Sequence, residues 1–470
     1  MWSGRYRSEA DAASRVFGRP LFTERSALSS MDTMTSSRSH SDCPGYLIER
    51  AAFSNLSNCS RLSMKDATMK HLLLVLVGTI AAFVVWGARA AQSNTAISTA
   101  RLPGARPVIN AKDFENLQSA FDALPVEGGC VRLPPGTLEI SEPLVLSRGD
   151  VLVEGAGTAT HIKNLNTDGR PAIVIQHPQG RQSEPAERLW RIMLSNFRIT
   201  GNEKSGHGIE AVGIEEIFLQ GLSVSEHGGD GIKLDHCRED PRVSDCLITY
   251  NRQTGLNLLG CHDIIVSANQ FEENQDALHC IDGFNLCMTG NNIDDHLGDG
   301  VVIENTYGSV VSGNMIEECN GRAIVLDRDC YGNTLSANVI AHNGGGVDLI
   351  DAHGCTVSAN TFTIMKTDAL RIGPGSGRIT VTGNNFSNSH IGNDSIKRRK
   401  NDEAAAGMVL DGTSDVVVAG NLFSSLRPNA LGTEGEPSRR ILFTDNVLTD
   451  TQADHGRLED SAVDIPLPSE

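Results

Sequence analysis

Short apolar segments recur along the chain at intervals of about two dozen residues. Within each segment, apolar and polar residues alternate as in a β-strand that buries one face. One six-residue phrase returns with small changes, for example VSANQF at 266–271 and VSGNMI at 311–316. Its asparagine stands at eight positions: Asn269, Asn291, Asn314, Asn338, Asn360, Asn384, Asn421 and Asn446. These spacings leave no room for a helix in each unit.

A second apolar pair follows each asparagine, as in GVVI at 300–303 and AIVL at 323–326. Degenerate copies of the phrase at 194–199, 219–224 and 243–248 bring the visible units to eleven. A unit with one apolar face per strand buries that face only by stacking on its neighbours. The pattern therefore predicts an all-β chain, a single-stranded parallel β-helix (solenoid) of about 11 or more turns. The asparagine is expected to point inward and to bond its equivalent one turn away.

The segment before the repeats predicts a helix that caps the solenoid. Over 113–125, four apolar residues fall on one helical face: Phe114, Leu117, Phe121 and Leu124. With GGCVRLPPGTLEI at 128–140 and the asparagine repeats that follow, the chain resembles the pectate-lyase-like right-handed parallel β-helix superfamily over 110–450. This resemblance implies the right-handed coil, and the crossover preference of parallel strands agrees with it.

Both termini differ from the repeat region. Residues 69–90 read as a signal peptide, with Lys70 and His71, an apolar run from Leu72 to Ala88, and small residues Ala88 and Ala90 at the cleavage spacing. We interpret residues 1–68 as a non-native or disordered extension and 451–470 as an acidic disordered tail. The sequence thus predicts a secreted or periplasmic protein with no stable membrane insertion after cleavage. The polar segment 390–407 is expected to be a surface loop.

Composition narrows the classes of partner. The chain has 40 Lys and Arg against 58 Asp and Glu, a formal net charge of −18, which argues against nucleic acid. Nine cysteines remain after residue 90, an odd number without a C-x-x-C pair, so neither a zinc site nor a complete disulfide framework is indicated. Aromatic residues make up only 5%, which favours a charged glycan over a neutral one held by stacked rings.

In a solenoid, equivalent positions of successive turns form columns about 4.8 Å apart, so candidate chemistry is sought in columns of outward polar residues. Three such columns are associated with the second apolar segment of each unit. The first column precedes the segment, the second occupies an outward position within it, and the third follows it directly. The first contains His207, Asp230, Thr254, Asp276, Asp299, Arg322, Gly345 and Asp368. The second contains Glu210, Lys233, Asn257, His279, Val302, Val325, Asp348 and Arg371. The third contributes Asp235, Glu304 and Asp327.

Carboxylates on neighbouring turns suit acid/base chemistry, because like charges raise the pKa of at least one member. Asp276 and Asp299 are one turn apart, and Asp230 and Asp276 are two turns or roughly 9.6 Å apart, the upper end for an inverting glycosidase. We take Asp230, Asp276, Asp299 and His279 as candidate catalytic residues. The candidate substrate-binding residues are Lys233, Asp235, Asn257, Glu304 and Arg322. The alternative for each aspartate is a turn residue that bonds the backbone.

Enzymes of the superfamily match only in fragments. Gly229-Asp230-Gly231 is similar to the Asn-x-Asp motif of polygalacturonases without its asparagine, and LRIG at 370–373 lacks the lysine of their Arg-Ile-Lys motif. A resemblance to pectate lyases implies Ca²⁺ held by Asp230, Asp276 and Asp299, with Lys233 or Arg322 as the base. The segment DDHLGDG at 294–300 is loosely similar to an alginate epimerase signature.

Three functions stay open. The first is an exported enzyme acting on an acidic polysaccharide by hydrolysis or by lyase or epimerase chemistry. The second is a non-catalytic β-helix that binds a glycan or serves as an envelope scaffold. The third, a periplasmic ligand-handling protein similar to copper-site assembly proteins, is the weakest because the outward columns lack a set of Cys, Met and His. The sequence names no metal with certainty.

Overall fold

The computed structural model describes residues 102–387 and 407–463. The predicted extension (1–68), the signal peptide (69–90) and nearly all of the predicted loop (390–407) lie outside the described residues. Within the described ranges, no helix is long and apolar enough to cross a membrane.

The chain forms a right-handed parallel β-helix of about 14 turns, which confirms the predicted fold class. Each full turn contributes a strand to each of three parallel sheets, here named sheets I, II and III in chain order. Within residues 102–387 and 407–463, the few helical segments are the α-helix Leu117–Asp122 and the 3-10 turns Ala111–Asp113, Gly157–Ala159 and Pro185–Glu187.

Sheet I has 18 strands and contains the longest ones. Its strands are Val108–Asn110, Gly129–Arg132, Val151–Glu154, Leu189–Ser195, Ile214–Gln220, Arg242–Ser244, Ile265–Ser267, Cys287–Thr289, Val310–Ser312, Cys330–Tyr331, Thr334–Ser336, Ala352–His353, Thr356–Ser358, Gly377–Thr382, Ser414–Ala419, Ser438–Thr444, Leu458–Glu459 and Ala462–Val463.

Sheet II has 13 strands, most of them three residues long. Its strands are Gly136–Ile140, Thr160–Asn164, Arg198–Thr200, Ser223–Ser225, Leu247–Thr249, Gln270–Glu272, Asn292–Asp294, Met315–Glu317, Val339–Ala341, Thr361–Thr363, Asn385–Ser387, Leu422–Ser424 and Val447–Thr449.

Sheet III has 12 strands, which are the second apolar segments of the repeat. Its strands are Leu144–Leu146, Ile173–Gln176, Ile209–Val212, Ile232–Asp235, Leu256–Leu259, Leu278–Ile281, Val301–Glu304, Arg322–Asp327, Gly345–Leu349, Leu370–Ile372, Met408–Asp411 and Leu431–Glu434.

Inside the coil, side chains of one kind stack on their equivalents from turn to turn. The rings of Phe362, Phe386 and Phe423 lie parallel, with centroids 4.7 Å apart at both steps. Aliphatic residues fill most of the other inward positions, together with methionines and seven buried cysteines, as each strand presents alternate side chains to the core. The core is therefore continuous along the axis, and no turn has an interior of its own.

The asparagine ladder predicted from the repeat is present between sheets I and II. Asn314 Oδ1 accepts bonds from the backbone N–H and the side-chain amide of Asn291, at 3.0 and 2.9 Å. Its own Nδ2 donates to Asn338 Oδ1 at 3.0 Å and to the carbonyl of Met288 at 3.2 Å. The pattern runs from Asn269 to Asn446, so these buried amides satisfy one another along the stack.

A second, irregular ladder follows sheet II and was missed by the sequence analysis. Asn251 donates to Asn274 Oδ1 from both its backbone and side-chain nitrogens, at 3.0 and 2.9 Å. Two turns later, Cys319 N donates to Asn343 Oδ1 at 2.9 Å. The turn between them carries His296 at this position. The spacing of the asparagines is thus interrupted, which hid the ladder in the sequence.

The two ends of the coil differ in part from the expectation. The helix predicted over 113–125 is reduced to Leu117–Asp122, where Asn116 Oδ1 accepts from Ser119 N at 2.9 Å and Phe121 enters the core. Its role as a cap stays a prediction. The segment predicted to be a disordered tail contains two short strands, Leu458–Glu459 and Ala462–Val463, that pair with Ser438–Thr444.

The buried imidazole of His296 generates a testable pH dependence. Burial lowers the pKa of His296 from 6.5 to about 4. Because the folded-state pKa is depressed, the neutral ring is favourable above pH 6.5, and stability is lost as the pH falls from 6.5 toward 4. We expect His296→Asn to remove about 2 kcal/mol of the stability difference between pH 7.5 and pH 5. Urea unfolding of the full-length protein at both pH values measures it.

Cys319→Asn is the matched control, because it places an amide in the same ladder without removing a histidine. The pH dependence of that variant should equal that of the wild type. If His296→Asn lost as much stability on acidification as the wild type, the buried histidine would have no part in acid sensitivity.

Candidate functional site

The register of sheet III brings the predicted columns together. Lys233, Asn257 and His279 occupy equivalent positions on consecutive strands, and Glu210 stands one turn before them. Ile281, Glu304 and Asp327 follow one another in the third column. Each strand pairs in register with the next, so these side chains align although the turns differ in length, with 24 residues from Lys233 to Asn257 and 22 from Asn257 to His279.

The first column is a ladder of carboxylates against the backbone. Asp276 Oδ1 accepts from the N–H of Asp299 at 2.7 Å, and Asp299 Oδ1 accepts from the N–H of Arg322 at 2.6 Å. A Cβ at Gly298 would lie 2.4 Å from Asp276 Oδ1, so only glycine lets the carboxylate approach the next turn. These aspartates therefore act as turn residues that bond the backbone, as in the alternative given above, and the backbone bond uses one oxygen of each carboxylate.

Asp230 is more enclosed than the other two aspartates. Its Oδ1 accepts from Thr254 N at 3.0 Å, and its Oδ2 accepts from Asn257 Nδ2 at 3.1 Å. His207 Nδ1 lies 3.3 Å from the same Oδ2, and the residue is 2% exposed. Both oxygens are thus engaged, and the carboxylate has little contact with solvent.

Asp276 has an environment that favours its protonated form. Its pKa is raised, primarily by burial, and the negative charge of Asp299 raises it further, whereas the hydrogen bond from Asp299 N lowers it. A carboxyl group that holds its proton to higher pH is suited to donate that proton to a leaving group.

His279 and Glu304 form a polar pair one turn apart. His279 Nε2 lies 3.2 Å from Glu304 Oε2, and the same oxygen is 3.4 Å from Arg328 NH1. Both side chains are partly exposed. A carboxylate at this distance orients an imidazole, as in the arrangement of a general base.

The predicted cationic ligands are already ion-paired. Lys233 Nζ lies 3.0 Å from Glu210 Oε1. Arg322 NH1 lies 2.5 Å from Asp368 Oδ1, and its Nε lies 3.5 Å from Asp348 Oδ2. Each positive charge on this face is therefore largely neutralised before any substrate arrives.

Asp235 and Asn257 lie apart from the central group. Asp235 bonds the neighbouring His236, and its Oδ1 lies 3.6 Å from Arg181 NH1. Arg181 belongs to the segment that precedes the sheet I strand Leu189–Ser195. Asn257 stands on the turn between Asp230 and Asp276. The structure thus gathers five predicted residues on three consecutive turns, here called the central cluster: Asp276, His279, Asp299, Glu304 and Arg322.

Asp348 is a member of the second column that the sequence analysis did not select. Burial raises its pKa, against the opposing charge of Arg322, and its Oδ1 has no partner among the described residues. Its place beside Arg322 in the outward columns was the available signal. The second column includes Asp348, but the sequence does not show that its carboxylate pairs with Arg322.

The Ca²⁺ ligands implied by the pectate-lyase resemblance do not fit this geometry. Both oxygens of Asp230 accept hydrogen bonds, and Asp276 and Asp299 each use one. Where the structure is described, the groups close enough to share a metal ion lie beside sheet II instead. They are Glu317, Glu318 and His342, and Asp294, Asp295 and Glu318.

Comparison with known proteins supports the fold. A family model described as the right-handed β-helix region matches residues 180–286, 242–386 and 330–464, more than half of the chain. No curated protein sequence matches the chain.

Three solved structures are similar at low identity. The mannuronan C-5 epimerase AlgE6 A-module of Azotobacter vinelandii has 17% identity and a TM-score of 0.55, covering 72% of this chain and 99% of that chain. The periplasmic alginate epimerase AlgG, as a mutant, has 13% identity and a TM-score of 0.50, covering 73% and 84%. A DFA-IIIase mutant from Arthrobacter chlorophenolicus A6 has 12% identity and a TM-score of 0.50, covering 70% and 98%.

The different environments of two aspartates generate a stability prediction. Asp230→Ala leaves a backbone N–H and a side-chain amide without acceptors in a buried place, so we expect a loss of roughly 2–4 kcal/mol. Asp276→Ala removes one acceptor from a half-buried site and should cost roughly 1–2 kcal/mol. Urea unfolding of both variants at pH 7.5 checks this order. Equal losses would contradict the structural role assigned to Asp230.

Proposed function

Since the chain belongs to the right-handed β-helix family, we propose that it is an exported carbohydrate-active enzyme that acts on an acidic polysaccharide at the central cluster. The observation that carries the proposal is the arrangement of two carboxyl groups on adjacent turns, Asp276 and Asp299, beside the pair formed by His279 and Glu304. Burial and the charge of Asp299 raise the pKa of Asp276, while Asp299 itself bonds the backbone of Arg322.

In this proposal Asp276 is the general acid and His279 the general base. The proton of Asp276 goes to the glycosidic oxygen or to the sugar carbon that is reprotonated. His279, oriented by Glu304 at 3.2 Å, removes a proton from water or from the ring carbon of a uronate that carries its carboxylate group. Hydrolysis, elimination and epimerisation all need this pair, so the cluster supports acid/base chemistry on a glycan and leaves the bond to be identified from the products.

Two considerations support an acidic substrate. Two of the similar structures are named for mannuronan and alginate, which are uronate polymers. Arg322 stands at the edge of the cluster, where a sugar carboxylate can replace Asp368 or Asp348 as its partner.

The proposal includes export. The signal peptide at 69–90 would direct the chain out of the cytoplasm, and its removal would leave the β-helix with the polysaccharides of the cell surface or surroundings. Residues 1–68 would then be absent from the mature protein. The first peptide of the natural protein, identified by mass spectrometry, tests this boundary, and sequence from residues 1–60 would contradict it.

A second function, binding without catalysis, is favoured by the hydrogen bonds of the first column. Asp230, Asp276 and Asp299 each hold a backbone N–H of the following turn, and this role alone accounts for their presence. The same face would then bind a glycan or serve as part of an envelope scaffold.

The decisive experiment incubates the full-length protein with polygalacturonate, alginate or a sulfated algal glycan, each with and without added Ca²⁺. Mass spectrometry then identifies the products. Fragments carrying an added water identify hydrolysis, unsaturated fragments identify elimination, and a changed proton NMR spectrum without fragments identifies epimerisation. We expect Asp276→Asn to lower kcat about 100-fold or more, because the amide cannot donate the acid's proton. The wild-type rate should fall as the pH rises above the raised pKa of Asp276.

Asp245→Asn is the matched control, because this exposed aspartate lies at the bend after a sheet I strand, away from the cluster. It should leave kcat unchanged. A wild-type protein that binds these glycans but alters none of them would support the scaffold function, and an active Asp276→Asn variant would remove Asp276 from the mechanism.

A further inference from the structure

A row of aromatic side chains runs along the outside of the coil, where the chain passes from sheet III to sheet I. Its members hold the same position in five successive turns, and parallel bridges connect each to the next. They are His262, Phe284, Tyr307, Tyr331 and His353, here called the aromatic stripe. At about 4.8 Å per turn, the stripe is roughly 19 Å long.

Two of the five rings are exposed and the other three are half-buried, and the first three rings pack against one another. Phe284 packs edge-to-face against His262, with centroids 4.4 Å apart, and against Tyr307, with centroids 4.1 Å apart. Tyr307 is 44% exposed and Tyr331 is 57% exposed. Aromatic rings fixed by their neighbours offer a large contact area and lose little conformational freedom when a ligand binds.

Hydrogen-bonding side chains flank the rings on both sides. On the sheet III side, Asn305 donates to Asp282 at 2.7 Å. On the sheet I side, Asn285 donates to Asp263 at 2.8 Å. Carboxylates and amides in such pairs supply acceptors and donors to the hydroxyl groups of a ligand that lies over the rings.

We propose that the aromatic stripe binds a chain of a neutral polysaccharide. The C–H faces of pyranose rings pack on exposed aromatic rings, and their hydroxyl groups match the flanking Asp and Asn side chains. The stripe is long enough for several consecutive sugar rings. This site lies at a bend of the coil, beside the third column, and is independent of the proposed function of the central cluster.

The charge around the stripe selects against an acidic glycan. Besides Asp263 and Asp282, the bends that carry the rings contain Asp329 and Asp351, and Arg328 is already near Glu304. Asp351 lies 3.3 Å from the ring of His353. A polyanion brought to this surface would meet the remaining carboxylates, whereas a neutral chain would not be repelled by them. The two faces therefore differ in the class of glycan that they accept.

The test is affinity electrophoresis of the full-length protein in gels that contain galactomannan, xyloglucan or mixed-linkage β-glucan, with an alginate gel for comparison. We expect at least one neutral polysaccharide to retard the wild type. The double variant Tyr307→Ala/Tyr331→Ala should bind about tenfold or more weakly, since it removes the two most exposed rings. Tyr331→Ala alone carries the test if the double variant does not fold.

Tyr250→Ala is the matched control, because this tyrosine is 49% exposed and lies at the bend after sheet II. It should bind as the wild type does. Retardation by none of the neutral gels, an undiminished double variant, or an equal loss in Tyr250→Ala would each overturn the proposal. Turnover of acidic polysaccharides should be unchanged in the double variant, so failure of the stripe and failure of the central cluster give different results.

Discussion

The structure depends on one constraint: a polar group buried at a bend of the coil finds its partner in the equivalent residue of the next turn. Asn291 and Asn314 show the solution in its complete form, because one amide oxygen accepts two bonds and the amide nitrogen donates two. Without such a partner, each turn would bury unsatisfied groups at a cost of about 1–3 kcal/mol apiece. The ladder therefore fixes the register between turns, and the register places every outward side chain.

The same constraint acts outside the core, where it produces the column of aspartates. Asp276 and Asp299 each hold the backbone of the following turn, as the inward asparagines do. The aspartates differ from the asparagines in having a second oxygen in place of the amide nitrogen, so the side chain can carry a proton or a charge. The candidate chemistry thus uses side chains that the coil already requires, and it differs among turns according to which neighbours occupy the second oxygen.

Asp230 shows how a neighbouring side chain can leave a carboxylate without a free oxygen for acid/base chemistry. Asn257 occupies its second oxygen, whereas His279 stands at the equivalent position one turn later, beside Asp276, and turns toward Glu304. Ionic pairing has a similar effect on Lys233 and Arg322, whose charges are balanced within the protein. Beside the third column, the rings of the aromatic stripe are flanked by carboxylates, so adjoining faces of one solenoid differ in the ligands that suit them.

The sequence by itself determined the fold, the approximate turn length and the membership of the columns, because a repeat of about two dozen residues with one apolar face per strand buries that face only by stacking on its neighbours. It placed His279 next to Asn257 and Asp276 next to Asp299 correctly. It did not show the second ladder, where His296 and Cys319 replace asparagine. It also did not show the aromatic stripe, whose residues occupy equivalent positions in successive turns without a shared sequence motif. Only the tertiary structure decided which oxygens are occupied, which cations are paired and which aspartates have a raised pKa. These properties depend on side-chain directions and burial between turns, and one side chain, such as Asn257, changes them without altering the repeat.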